Sequence, residues 1–244
     1  MRGALVLAAG LAAGIAAVPS VAVADGTPPV AVPKGYAEAM DWYARAARAG
    51  DRRAQYYMGL VQWRGLRGPK NKKSAADWFE KSARQGYGPA QFSLGLAYGT
   101  GTGRPQDASR AARWYRPAAN NGIAEASFNL AILFERGEGV AKNLAQAGIY
   151  YSRAAHTGIA AAQYNLAILY REGKGVAKDK VRSWVWFARA KKGGYGAAAD
   201  ALEAVEKDMN AAERTRARRA LSDKPSSPRA RSDKPSAPRA RSDK

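Results

Sequence analysis

The stretch Asn143–Gly175, NLAQAGIYYSRAAHTGIAAAQYNLAILYREGKG, contains two helical patterns separated by one glycine. In its first half, small or aromatic residues recur at Ala147, Tyr150, Tyr151, Ala154 and Ala155. The same i, i+3, i+4, i+7, i+8 stripe runs through Ala75, Trp78, Phe79, Ser82 and Ala83, and it marks one apolar face of an amphipathic helix. The second half carries Ala162 and Leu166, which match Ala90 and Leu94. Gly158 stands between the halves, where a left-handed residue can close the first helix without steric cost.

Outward from this stretch, the pattern repeats with a period of 36 residues. Gly50, Gly86, Gly122, Gly158 and Gly194 keep that spacing without a slip. So do Trp42, Trp78, Trp114, Tyr150 and Trp186, each followed by Tyr43, Phe79, Tyr115, Tyr151 or Phe187. A further column runs Met58, Leu94, Leu130, Leu166 and Leu202, and Gly65, Gly101, Gly137 and Gly173 mark a second turn in each unit. Asn71, Asp107, Asn143 and Asp179 precede the first helices, where a short polar side chain can accept a bond from an orphaned N–H. One helical pair cannot hide both of its stripes, so neighbouring pairs must stack to bury a continuous core. The expected fold is therefore an all-α solenoid of five helix–turn–helix units over residues 36–209. The paired alanines let helices approach, and the Trp and its Tyr/Phe neighbour are expected to fill the space between units. In the fifth unit Asp200, Glu203 and Glu206 replace apolar groups, and Asn210 with Glu213 forms a capping-box pattern. A capping helix is expected over 210–221.

The unit D-x-x-x-A-x-x-W-Y-x-x-A-A-x-x-G-x-x-x-A-Q-x-x-L-G-x-L-Y-x-x-G-x-G resembles the Sel1-like repeat. Its Trp-Tyr, Ala-Ala, Gly, Ala-Gln, Leu order distinguishes it from the 34-residue tetratricopeptide repeat. The resemblance implies a right-handed, TPR-like α-solenoid. It also implies a scaffold that binds proteins, often in bacterial envelope signalling, polysaccharide control or host contact. Cysteine-rich relatives are similar to β-lactamases in penicillin binding, which gives an alternative: an enzyme or binder directed at β-lactams or peptidoglycan. Those relatives depend on Cys pairs, and this chain has no cysteine.

Absent cysteine also removes disulfides, thiolate metal sites and thiol nucleophiles. Because His156 is the sole histidine, a multi-histidine metal site is excluded, and no cofactor, metal or catalytic set is expected. Glu135, Glu138 and Glu172 stand beside Arg136, Arg171 and Lys174, so ion pairing accounts for them better than paired-carboxylate catalysis.

Residues 1–24 read as a secretory signal peptide: Met1-Arg2, an uncharged run from Ala4 to Val18, then Ala22-Val23-Ala24 before Asp25. The expectation is cleavage after Ala24, a linker over 25–35 and a periplasmic or secreted product. At the other end, residues 222–244 repeat SDKPSxPRAR, which contains no aromatic or β-branched residue. A disordered basic tail is expected there.

Formal net charge is +20, which bears on partners rather than fold. Two basic columns lie on the first helices: Arg45, Lys81, Arg153 and Arg189, interrupted by Pro117; and Arg48, Arg84, His156 and Lys192, interrupted by Asn120. These are the candidate binding residues. One reading is a positive ladder for a protein partner with acidic segments. The other is a solvated face whose cations favour helix C-termini. Pro117 is expected to kink the helix over 108–120 and split the ladder. The tail offers a second attachment, to anionic envelope polysaccharide or lipid. Nucleic acid is disfavoured, because the aromatic residues occupy core columns and export separates the chain from it.

Overall fold

The computed structural model describes residues 36–222. The expected signal peptide and linker lie outside the described residues, as does the expected tail beyond Ser222. Eleven helices, and no strand, occur among the described residues. They are α1 (Tyr36–Arg48), α2 (Arg52–Arg64), α3 (Lys72–Arg84), α4 (Gly88–Thr100), α5 (Ala108–Asn120), α6 (Ala124–Arg136), α7 (Leu144–His156), α8 (Ala160–Glu172), α9 (Lys180–Lys192), α10 (Ala198–Lys207) and α11 (Ala211–Ser222). Each of α1–α10 packs on its neighbours in sequence, which makes a solenoid of helical repeats. The broader contacts join α2 to α3, α4 to α5, α6 to α7 and α8 to α9.

Local chemistry sets these boundaries. The side chains of Asn71, Asp107, Asn143 and Asp179 accept from the backbone N–H groups of Ser74, Arg110, Gln146 and Arg182. Such caps stabilise a helix by about 1 kcal/mol each. Second helices end on Gly65, Gly101, Gly137 and Gly173, all left-handed. Two residues further on, Gly103 and Gly139 press on the start of the previous first helix. A Cβ at Gly103 would lie 2.2 Å from the Lys72 carbonyl oxygen, and one at Gly139 would lie 2.3 Å from Ala108 backbone.

The joint between hairpins is aromatic. Phe79, Tyr115, Tyr151 and Phe187 are buried. Each ring meets one on the preceding hairpin's second helix: Tyr56 at 5.7 Å, Phe92 at 6.0 Å, Phe128 at 5.9 Å and Tyr164 at 5.3 Å between centroids. A small residue forms the floor. Any Cβ at Gly59 or Gly95 would lie 2.5 Å from the Phe79 ring or 2.6 Å from the Tyr115 ring. Ala131 and Ala167 hold the equivalent places before Tyr151 and Phe187. The Trp column contributes to that space unevenly. Trp42, Trp78 and Trp114 are only half-buried, while Tyr150 and Trp186 are buried. The Tyr/Phe column supplies a ring to each joint from the second unit on, and the Trp column joins it in the later units, where Tyr150 stacks on Phe134 of α6 at 5.8 Å and Trp186 meets His156 of α7 at 5.0 Å.

The hydroxyl-bearing rings also choose their neighbours. Tyr115 and Tyr151 face Asn129 and Asn165, whereas Phe79 and Phe187 stand at the same positions relative to Ser93 and Ala201. The Tyr151 hydroxyl donates to Glu135. Burial pushes both tyrosines well above the ordinary value near 10, and for Tyr151 the nearby Glu135 carboxylate adds to this.

Polar ties cross the hairpins as well. Nε2 of Gln55, Gln91 and Gln163 donates to the carbonyls of Ala47, Ala83 and Ala155 at 3.2, 3.3 and 3.0 Å. Gln85 donates onward to Gln55 Oε1 at 2.8 Å, and Asn121 to Gln91 Oε1 at 2.9 Å, so adjacent turns are tied together.

At the C-terminal end, Asn210 and Glu213 exchange side-chain to backbone bonds of 2.9 Å in both directions, which opens α11. That helix packs on α9 and buries Ala217.

Two outcomes follow for stability. Gly86→Ala, with open space around it at φ +79°, should cost about 1 kcal/mol. Gly103→Ala adds a backbone clash and should cost about 3 kcal/mol. Equal urea midpoints for the two variants would contradict the docking of Gly103 on α3. The second concerns alkali. Tyrosines whose folded pKa is raised stabilise the fold fully below pH ~10, and that stability drains as pH climbs above it, by at most ~1.4 kcal/mol per unit per group. Urea midpoints at pH 9 and 11 should therefore differ less in Tyr115→Phe/Tyr151→Phe than in the parent.

Candidate functional site

The basic columns sit on the last turns of α1, α3, α7 and α9. A cation there gains from the helix dipole, which explains the position without explaining the recurrence. The stacking interlocks the columns. Arg153 Nη1 donates to Asn120 Oδ1 across α7 and α5 at 3.4 Å, and the His156 ring stands edge-on to Trp186 across α7 and α9 at 5.0 Å. The sequence offset of 33 residues between Asn120 and Arg153 also separates Arg48 from Lys81 and His156 from Arg189. Of these pairs, Asn120 meets Arg153 directly, and His156 reaches the next unit through Trp186.

Exposure differs along the ridge. Arg45, Arg48, Lys81, Arg153 and Lys192 are exposed and carry no ion pair among the described residues. Arg84 is exposed but paired with Glu80 at 2.6 Å. Glu80 also meets Arg104 at 3.0 Å, and both guanidinium groups pull its carboxyl below the ordinary range against a desolvation penalty. His156 is half-buried. Its Nδ1 lies 2.6 Å from the Ser152 carbonyl, so the proton resides on that nitrogen and the ring is held in place. Arg189 is half-buried too: its Nη2 donates to the Ala220 carbonyl of α11 at 3.3 Å, and burial draws its pKa down.

Aromatic rings underlie three rungs. Lys81 stands 4.5 Å from the Trp78 ring, Arg153 5.1 Å from Tyr150 and Arg189 4.9 Å from Trp186. Such pairs contribute about 0.5–1 kcal/mol where exposed, and they hold the cations in fixed places.

Helix α5 runs unbroken through Pro117 and keeps the thirteen-residue length of its equivalents. Pro117 falls in its final turn and removes one bond there, the one an N–H at that position would give to the Arg113 carbonyl. The third unit therefore interrupts the ladder in charge, while its helix continues.

The carboxylates stay local. Glu172 meets Lys174 at 2.8 Å and Arg171 at 3.4 Å, with Lys174 chiefly responsible for lowering its pKa. Glu138 meets Arg136 at 3.6 Å, and Glu135 receives Tyr151. Among the described residues no group of three His, Asp or Glu is placed to hold a metal ion. No described helix is long and apolar enough to cross a membrane.

The model of the Sel1 repeat matches residues 22–51, 52–87, 88–123, 124–158 and 160–195. The four matches from residue 52 on begin on second helices, in phase with the broader contacts. A Sel1 repeat protein from Oxalobacter formigenes is similar at 34% identity, over 68% of this chain and 69% of that one, with a TM-score of 0.64. A protective antigen of uropathogenic Escherichia coli strains that displays an SLR fold is similar at 27% identity, over 78% of this chain, with a TM-score of 0.51. The match covers 49% of that antigen, about half its length. No curated protein matches the chain. Sel1 repeats generally mediate protein–protein interaction. With five consecutive matches over helices that stack as hairpins, the chain belongs to the Sel1 repeat family.

Proposed function

We propose that this chain is an exported scaffold of the bacterial envelope that grips an acidic protein partner along its basic ladder, in the service of a sensor or of a polysaccharide or cell-wall complex. One observation carries the reading: Arg45, Arg48, Lys81 and Arg153 stand exposed, without acidic partners among the described residues, on a ridge where Arg153 is tied to Asn120 of the unit before. A merely solvated face would not need its cations seated over Trp78 and Tyr150. Export rests on the leader-like residues 1–24, and the basic segment 222–244 adds attraction to anionic envelope surfaces.

Crosslinking in native envelopes followed by mass spectrometry tests this. The parent protein should recover a partner, and a variant with Arg45, Arg48, Lys81 and Arg153 all changed to Glu should recover at least about tenfold less of it. Unchanged recovery would contradict the ladder as the binding surface.

A further inference from the structure

We infer that the surface formed by Arg113, Arg116, Ile149 and Arg153 docks an amphipathic partner helix with small residues on one face and carboxylates beside them, a deepening that rests on the scaffold reading above. The molecule itself shows how a first helix receives another helix. Val185 on α9 is buried, whereas Asp41, Asp77, Arg113 and Ile149, which hold its place in the other units, are exposed. Helices α8 and α10 flank α9 just as α6 and α8 flank α7, and α11 is the added neighbour. The burial of Val185 therefore comes from α11, which seals its own Ala217 in the same contact. One turn after Val185, Arg189 donates to the Ala220 carbonyl at 3.3 Å. That carbonyl lies in the last turn of α11, where backbone acceptors have no partner within the helix. An aliphatic residue and an arginine one turn later thus receive two alanines spaced three apart and the C-terminal end of a helix.

The same pair recurs on α7. Ile149 and Arg153 precede Val185 and Arg189 by 36 residues, and both are exposed. Ile149 keeps 47% of its surface, and among the first helices α3, α5, α7 and α9 no other large apolar side chain is as open. The surroundings join α7 to α5. Arg153 stands 5.1 Å from the Tyr150 ring, Tyr150 stacks on Phe134 at 5.8 Å, and Arg116 of α5 stands 5.8 Å from that same Phe134 ring. Two arginines from different units therefore border one pair of buried rings beside Ile149. Arg113 lies one turn before Arg116 on α5.

Charge defines the occupant. Neither α5 nor α7 contains an acidic residue. Arg113, Arg116 and Arg153 are exposed and carry no ion pair among the described residues. On α3, by contrast, Asp77 and Glu80 answer Arg104, and Glu80 also answers Arg84. The complement of the α5–α7 surface is a helix with small residues three apart on Ile149, its last turn at Arg153, and Asp or Glu toward Arg113 and Arg116. Helices that dock on grooves are read through anchors of this three- and four-residue spacing. A second copy's α11 has the right small residues but brings four arginines, and like charges set against one another oppose docking.

The test uses the full chain and a synthetic peptide with the sequence of 211–222 carrying Arg214→Glu, Arg216→Glu, Arg218→Glu and Arg219→Glu, held helical by a hydrocarbon staple opposite Ala217. Binding is followed by calorimetry. The acidic peptide should bind, and the stapled peptide with its native arginines should bind at least about tenfold more weakly. An unstapled acidic peptide with Ala217→Pro, which breaks the helix, should also lose about tenfold. In the protein, Ile149→Asn should weaken binding about fivefold at unchanged charge. Arg116→Glu/Arg153→Glu should abolish it, while Arg53→Glu/Lys142→Glu, equal in charge but away from this surface, should keep it. No binding of the acidic peptide, equal affinity for the native or the proline peptide, or undiminished binding by Ile149→Asn overturns the inference. If it is overturned while the fourfold ladder variant still fails to recover the envelope partner, the helix seat is wrong and the scaffold reading survives. If envelope recovery is unaffected by the fourfold change, the scaffold reading fails with it.

Discussion

The structure depends on one repeated contact: an aromatic ring on the first helix of each hairpin lying against a small residue and a second ring on the hairpin before it. Phe79 on Gly59 and Tyr56 is the first such joint, and Tyr115 on Gly95 and Phe92 is the next. Each buried ring removes enough apolar surface from water to be worth about 2–3 kcal/mol. That gain exists only when two hairpins meet, so no unit is stable in isolation and the chain folds as a row. The ends record the same rule. Tyr43 and Met58 in the first unit and Leu202 in the fifth are half-buried, while Tyr115, Tyr151, Leu94 and Leu130 are sealed.

This joint also positions the surface. Because ring and floor fix how each first helix sits on the previous hairpin, equivalent surface residues fall into line, and a residue at a helix end meets one a unit later. The bond from Arg153 to Asn120 and the contact of His156 with Trp186 come from that alignment. Partner binding, if it uses this ridge, is then a property of the stack rather than of any hairpin. At the C-terminal end α11 removes Arg189 from the free row and closes the stack with a helix whose outer face is strongly basic.

Much of this was readable before any coordinates. A period kept in several columns at once identifies the repeat, and Asn71, Asp107, Asn143 and Asp179 announce where helices begin because capping is a local matter. The box at Asn210 and Glu213 is equally local. What escaped depends on direction within a stripe. Trp78 and Phe79 are adjacent, and periodicity alone does not say which faces the previous hairpin more squarely. The ties from Gln85 to Gln55 and from Asn121 to Gln91 join residues 30 apart whose polar side chains resemble ordinary surface. Likewise, the span of α5 continues past Pro117, which removes one bond from its last turn without ending the helix. Of the ladder, the columns were visible in the sequence. The pairing of Arg84 with Glu80 and the covering of Arg189 were not, since both arise from neighbours that only the fold supplies.

The most direct measurement is urea unfolding of Gly95→Val, followed by both tryptophan fluorescence and far-ultraviolet circular dichroism. The substitution drives a branched side chain into the Tyr115 ring and should uncouple the hairpins on either side. The account predicts that the single transition of the parent splits into two, with the probes no longer coincident. One coincident transition at the parental midpoint would contradict the claim that the ring-on-glycine joint holds the row together.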